Sequence, residues 1–128
     1  MEKIVLDTNI LIEILKGNQA ILQHLEEGNF LYSISCITVM ELYYGAFNKA
    51  ELFSLKKFIA LFEVIEIDKN ISNISTELIF EYSKSHNLTI PDSLIASTAI
   101  NKGRKLYTLN LKDFKYIDGL TLFKSLKE

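Results

Sequence analysis

The sequence predicts an α/β domain built on a central, mostly parallel sheet of four to five strands flanked by helices. Two patterns carry that expectation. Short β-rich runs alternate with stretches of helical spacing along the chain, and Pro91 and Gly103 bracket one long segment with proline at the start and glycine after the end, as helices prefer. The length of 128 residues is that of one domain, about 100 to 200 residues, so residues 1–128 are expected to form a single unit.

Lys3 to Leu6 reads as the first strand, stopped by Asp7, and Asn9 to Lys16 as a helix ended by Gly17. A second helix runs from Asn18 to Glu27 before Gly28. Phe30 to Ser35 follows as a buried strand and Ile37 to Asn48 as a helix. From Ala50 to Phe62, Leu52, Leu55, Phe58, Ile59 and Phe62 recur at helical spacing with Lys56 and Lys57 opposite, an amphipathic pattern. Glu63 to Ile67 alternates as a strand does. Asp68 stands where a cap would, ahead of a helix from Asn70 to Ser85. Pro91 opens the next helix, Lys105 to Thr108 is a further strand, and Leu120 to Phe123 is expected as a last, short one.

Basic residues number 14 and acidic ones 16, which lacks the excess of a protein that coats nucleic acid. Any contact with phosphate must therefore be local. The segment from Lys102 to Glu128 holds seven Lys or Arg against three acids, a basic rim or a solvated face of mixed charge. Cys36 is the only cysteine, so it forms no intramolecular disulfide, suits a reducing compartment, and is expected as a small buried hydrophobe. The apolar start is interrupted by Asp7, Asn9 and Glu13 and carries neither leader nor membrane-spanning features. A cytoplasmic location is expected, with no membrane partner.

The acids are more informative. Asp7 is the only charge between Lys3 and Glu13, Glu41 the only one from Gly28 to Asn48, and Asp92 the only one between Lys84 and Lys102, with His86 neutral. An unpaired carboxylate is costly to bury in such surroundings. Asp7 ends a strand, where open parallel sheets present ligands, and Asp113 would reach the same edge if its strand neighbours the first. Grouped carboxylates repel and take up protons unless a cation compensates. A hard divalent ion, Mg2+ or Mn2+, accepts this oxygen ligand set, whereas His24, His86 and Cys36 do not form a zinc pattern. Phosphodiester hydrolysis is the natural use of such an ion.

These residues resemble the PIN-domain ribonucleases, and more narrowly the VapC-like toxins of toxin–antitoxin pairs. The resemblance runs through Val5 to Ile10 (VLDTNI), Ser35 to Ala46 (SCITVMELYYGA), Pro91 to Ala99 (PDSLIASTA) and Thr108 to Phe114 (TLNLKDF), in that order over nearly the whole chain. It implies a PIN-like three-layer sandwich and a metal-dependent endoribonuclease leaving a 5′-phosphate and a 3′-hydroxyl. Asp7, Glu41, Asp92 and Asp113 would be catalytic and hold Mg2+, with Mn2+ as a substitute. Thr8, Asn9, Thr108 and Asn110 would support them, Asn110 standing where many relatives carry a further acid. The implied partners are the RNA substrate, a cognate antitoxin and a second copy in a homodimer.

Plainer readings exist for single residues: Asp7 as a helix cap, Asp92 as a charge favoured by a helix dipole, Asp113 as a surface residue, His86 as structural. None accounts for Glu41. Tyr43, Tyr44, Phe47, Phe53, Phe58 and Phe62 are expected in the core first and on a partner surface second. The competing functions are a stand-alone PIN nuclease and a non-catalytic PIN-like interaction module. A phosphoacceptor receiver domain fits less well, because Thr8 and Asn9 follow Asp7 where receivers pair acids.

Overall fold

The computed structural model describes residues 1–124. Within them the elements run β1 (Glu2–Leu6), α1 (Thr8–Leu15), α2 (Gln19–Glu27), β2 (Phe30–Ser35), α3 (Cys36–Tyr44), α4 (Lys49–Ile59), β3 (Glu63–Ile65), α5 (Lys69–His86), α6 (Ile90–Lys102) and β4 (Lys105–Tyr107), then a short 3-10 turn at Leu111–Asp113. The four strands form one sheet in the order β3-β2-β1-β4, and every pairing is parallel.

Side-chain alternation along the strands divides the core into two clusters. Ile4 and Leu6 of β1, Ile34 of β2 and Tyr107 of β4 face one side, against Ile10, Leu11, Ile21, Leu25, Leu55 and Ile59. Val5 and Leu106 face the other, against Ile71, Leu78, Ile95, Ala96 and Ala99. Helices therefore cover both faces, giving three layers. Ile4, Val5 and Leu6 are completely buried, and each such side chain contributes about 1.5 to 3 kcal/mol relative to an exposed one. Helices α5 and α6 approach through small residues, with the Ser75 and Ser93 hydroxyls 2.6 Å apart.

Several boundaries differ from expectation for local reasons. The helix expected through Asn48 stops at Tyr44, because Gly45 caps it and the Asn48 side chain accepts the Glu51 N–H at 2.9 Å to start α4. The strand expected to Ile67 ends at Ile65, which pairs with Ser35, the last residue of β2, leaving nothing beyond to bond. Leu120 to Phe123 provides a single parallel bridge, Leu106 with Leu122, since β4 itself is only three residues long. Gly28 ends α2 in an extended conformation rather than a left-handed one. Its lack of a side chain matters for space: a Cβ there would lie 2.6 Å from Phe30 Cδ2 and 2.8 Å from the Tyr32 hydroxyl. Cys36 is half-buried at the start of α3, not enclosed as expected.

The aromatic set divides as well. Tyr43, Phe58 and Phe62 pack against the core, whereas Tyr44, Phe47 and Phe53 are exposed. Among the described residues, no helix is long and apolar enough to cross a membrane.

Candidate active site

Strand β1 delivers Asp7 to the carboxyl edge of the sheet. The Asp7 N–H donates to the Tyr107 carbonyl at 2.9 Å, extending the pairing with β4 by one residue, so Asp7 and Thr108 emerge side by side. Asp7 is buried, and both of its carboxylate oxygens are engaged: the Thr8 N–H donates to Oδ1 at 2.8 Å and the Thr108 hydroxyl to Oδ2 at 2.7 Å. The cap reading and the site position are thus the same residue. Thr108 Oγ1 in turn accepts from Asn9 Nδ2 at 3.3 Å and from the Asn110 N–H at 3.0 Å, while Asn9 Oδ1 accepts the Leu109 N–H at 3.3 Å. Asn110 takes part through its backbone, and its exposed side chain makes no cap.

A second network ties α1 to α3. The Thr8 hydroxyl donates to Glu41 Oε1 at 2.7 Å and lies 2.9 Å from Thr38 Oγ1. With its one proton committed to Glu41, Thr8 is the acceptor from Thr38. Contrary to the burial its uncharged surroundings suggested, Glu41 is exposed, bordering a cleft of about 410 Å³ that also involves Met40, Tyr44 and Pro91. Its partner is a hydroxyl rather than a buried cation. Asp92 sits in the first turn of α6, where Thr89 caps by accepting the Asp92 N–H at 3.3 Å and Pro91 precedes it. Asp113 is exposed at the end of the 3-10 turn.

The acids share one electrostatic field. Burial, and then the charges of Asp7, Asp113 and Glu41, push the Asp92 carboxyl up from 3.8 to about 6, a hydrogen bond with Thr89 offsetting only part of this. Burial also raises Asp7, with Glu41 and Asp113 adding to it, against the lowering effect of the Thr108 and Thr8 bonds. A helix N-terminus favours the charged form by about 0.3 to 1 kcal/mol, less than these opposing effects at Asp92. The described ion pairs lie elsewhere, at Lys16–Glu13, Arg104–Glu63 and Lys105–Glu2. Among the described residues, no cationic side chain pairs with any of the four carboxylates.

A family model for the PIN domain matches residues 4–120. The chain belongs to the PIN-domain family. This PIN domain is similar to the ribonuclease VapC1 of Rickettsia felis, 33% identical with 91% of this chain and 92% of that protein covered. It is also similar to the tRNA(fMet)-specific endonuclease VapC of Shigella flexneri, 29% identical with 94% and 96% covered. Among solved structures it resembles a toxin–antitoxin complex from Klebsiella pneumoniae, with TM-score 0.77, 33% identity, and 91% and 94% covered.

The donor chemistry of this PIN domain suits a hard cation, since all four candidate ligands are carboxylates. As they stand, no three acidic, histidine or cysteine side chains among the described residues form a group able to hold a metal ion. Mg2+ commonly needs only one or two carboxylates and keeps several waters, so the donors fit in kind. The basic rim expected from Lys102 onward is divided. Lys102, Arg104 and Lys105 line a cleft of about 510 Å³ with Lys3 at the opposite edge of the sheet, Lys112 and Lys115 flank Asp113, and Lys127 and Glu128 lie outside the described residues.

One residue escaped the sequence reading as part of the candidate site. Thr38 is fully buried beneath Thr8; its signal was a hydroxyl three residues before Glu41 on the same helix face.

Proposed function

We propose that the protein is a VapC-type endoribonuclease that hydrolyses RNA phosphodiester bonds with Mg2+ or Mn2+ and is the toxin of a toxin–antitoxin pair. The observation that carries this is a set of four carboxylates, Asp7, Glu41, Asp92 and Asp113, whose charges act on one another around the carboxyl edge of the sheet, with no basic side chain paired to any of them among the described residues. Membership of the PIN family and the VapC ribonucleases among its relatives support the same reading.

Asp7 and Asp92 are the residues we assign to hold the cation, assisted by Glu41 and Asp113. When bound, such a cation neutralises phosphate charge and acidifies water for attack on phosphorus. The chain's own part is orientation. Thr8 and Thr108 each occupy one oxygen of Asp7, which stops the carboxylate rotating while each oxygen keeps a lone pair for a further ligand. Thr8 likewise holds Glu41 by Oε1, with Oε2 left for a further ligand. Lys112 and Lys115, both exposed beside Asp113, would counter the repulsion between the acidic edge and an RNA backbone.

The antitoxin is assigned to the apolar groove of about 580 Å³ between α3 and α4, lined by Tyr43, Leu52 and Phe53 with Lys49 and Lys56 at its margins. Exposed Tyr44 and Phe47 extend this apolar surface, which is of the kind that marks an interface. A homodimer is the assembly expected of the free toxin.

The test is cleavage of single-stranded RNA and of tRNA(fMet) by the protein and by Asp92→Asn with Mg2+, Mn2+ or EDTA. Cuts leaving a 5′-phosphate, lost in EDTA and in the variant, are expected. Cleavage that persists in EDTA, or equal cleavage by Asp92→Asn, overturns the assignment.

A further inference from the structure

Three aromatic rings pack together where the end of α5 meets the segment that follows the 3-10 turn. His86, the last residue of α5, lies nearly parallel to Tyr116, with ring centroids 4.0 Å apart and an interplanar angle of 12°. Tyr82 meets both at steep angles, 5.8 Å and 73° from His86 and 5.1 Å and 62° from Tyr116. Tyr82 and Tyr116 are half-buried and His86 is exposed, so the stack has a supported inner end and an outer end in solvent.

The rings are held at their edges. The Tyr82 hydroxyl accepts the Asp118 N–H at 3.2 Å, and His86 Nδ1 lies 2.8 Å from the Ser85 hydroxyl. Both contacts involve ring peripheries and leave the π-faces to other partners. The stack is also tied to the acids through the chain. Tyr116 follows Asp113 by three residues, and its phenol is raised by burial first and then by the charges of Asp92 and Asp113, while His86 ends the helix that residues 87–89 join to α6, where Thr89 caps the turn carrying Asp92.

An acidic edge repels phosphate, so an RNA strand drawn toward it gains from contacts that do not depend on backbone charge. Unpaired bases splayed onto Tyr or His rings supply such a contact. We infer that the His86–Tyr116 stack is a base-stacking platform, on which an unpaired nucleobase near the scissile phosphate lies against the outer face of His86. His86 is then a positioning residue that sets the register of the strand over the carboxylates. This rests on the ribonuclease reading above.

The test uses unstructured RNA 20-mers of mixed sequence with Mg2+, and compares wild type with His86→Ala, His86→Phe and Tyr116→Phe. His86→Ala is expected to raise KM about tenfold, as for loss of one stacked base, with a much smaller change in kcat. The two variants that keep a ring, His86→Phe and Tyr116→Phe, are expected to restore or retain the wild-type KM. Placing an abasic residue at each position around a mapped cut should reproduce the loss at one position in wild type and add nothing there in His86→Ala. A merely structural role for His86 would lower the melting temperature without coupling to one nucleotide. If wild type cuts RNA while His86→Ala keeps its KM and no abasic position depends on His86, the platform is overturned and the ribonuclease reading stands. If wild type cuts nothing with either cation, that reading falls and the platform falls with it.

Discussion

Replacing Asp92 with Asn should stabilise the metal-free protein and reverse the ranking once Mg2+ is added. Burial and the neighbouring acids hold the Asp92 carboxyl at about 6 instead of 3.8, so the folded state binds this proton more tightly than the unfolded chain. The stability tied to that proton is fully present below pH 3.8 and is lost as pH rises through about 6. At face value the displacement is worth about 3 kcal/mol. Asp92 is only half-buried, and solvent screening reduces this to about 1 to 2 kcal/mol. For a chain of this length that is a gain of about 3 to 8 °C in Tm for Asp92→Asn at pH 8 in EDTA, shrinking toward zero at pH 4. Saturating Mg2+ should stabilise wild type by about 2.7 kcal/mol at a hundredfold excess over Kd and the variant far less. Thermal melts at both pH values, with EDTA and with Mg2+, measure all four quantities. A variant less stable than wild type at pH 8 in EDTA, or an equal response of both proteins to Mg2+, would refute the reasoning.

Thr108→Val removes the donor to Asp7 Oδ2 and the acceptor for Asn9 and Asn110; a loss of about 1 to 3 kcal/mol in urea unfolding is expected from the buried groups left unpaired. Gly28→Ala pushes a methyl group to within 3 Å of Phe30 and Tyr32, and chemical denaturation should register about 1 to 3 kcal/mol of overpacking. Phe53→Asp places a charge in the groove between α3 and α4, and co-purification with the co-expressed antitoxin should fall at least tenfold while the circular dichroism spectrum is kept.

The layered fold was legible because β1, β2 and β4 are buried on both faces and so read as short apolar runs between helical patterns. The same economy of charge made Asp7 and Asp92 conspicuous. Glu41 was conspicuous for a different reason from the one inferred. Its uncharged surroundings include the outward residues Met40 and Tyr44, which are exposed, so the window marked an apolar surface rather than a burial site. The Thr8–Glu41 and Thr108–Asp7 bonds join residues 33 and 101 positions apart. No local pattern encodes such pairs, which depend on β1 lying between β2 and β4. The stack of His86 and Tyr116 was hidden likewise, each residue looking ordinary until α5 and the segment after the 3-10 turn were brought together.

Placing β1 between β2 and β4 also gives the site a timetable. Asp7 is synthesised 101 residues ahead of Thr108, yet its fixed orientation depends on Thr108 and its last backbone bond on Tyr107. A growing chain can dock β2 against β1, but the other edge of β1 waits until the Lys105–Tyr107 segment has emerged. Proteins dominated by such distant pairings fold slowly. Until nearly the entire described chain has left the ribosome, the carboxylate that anchors the site has no fixed direction, and a nascent nuclease is unarmed beside the RNA that encodes it.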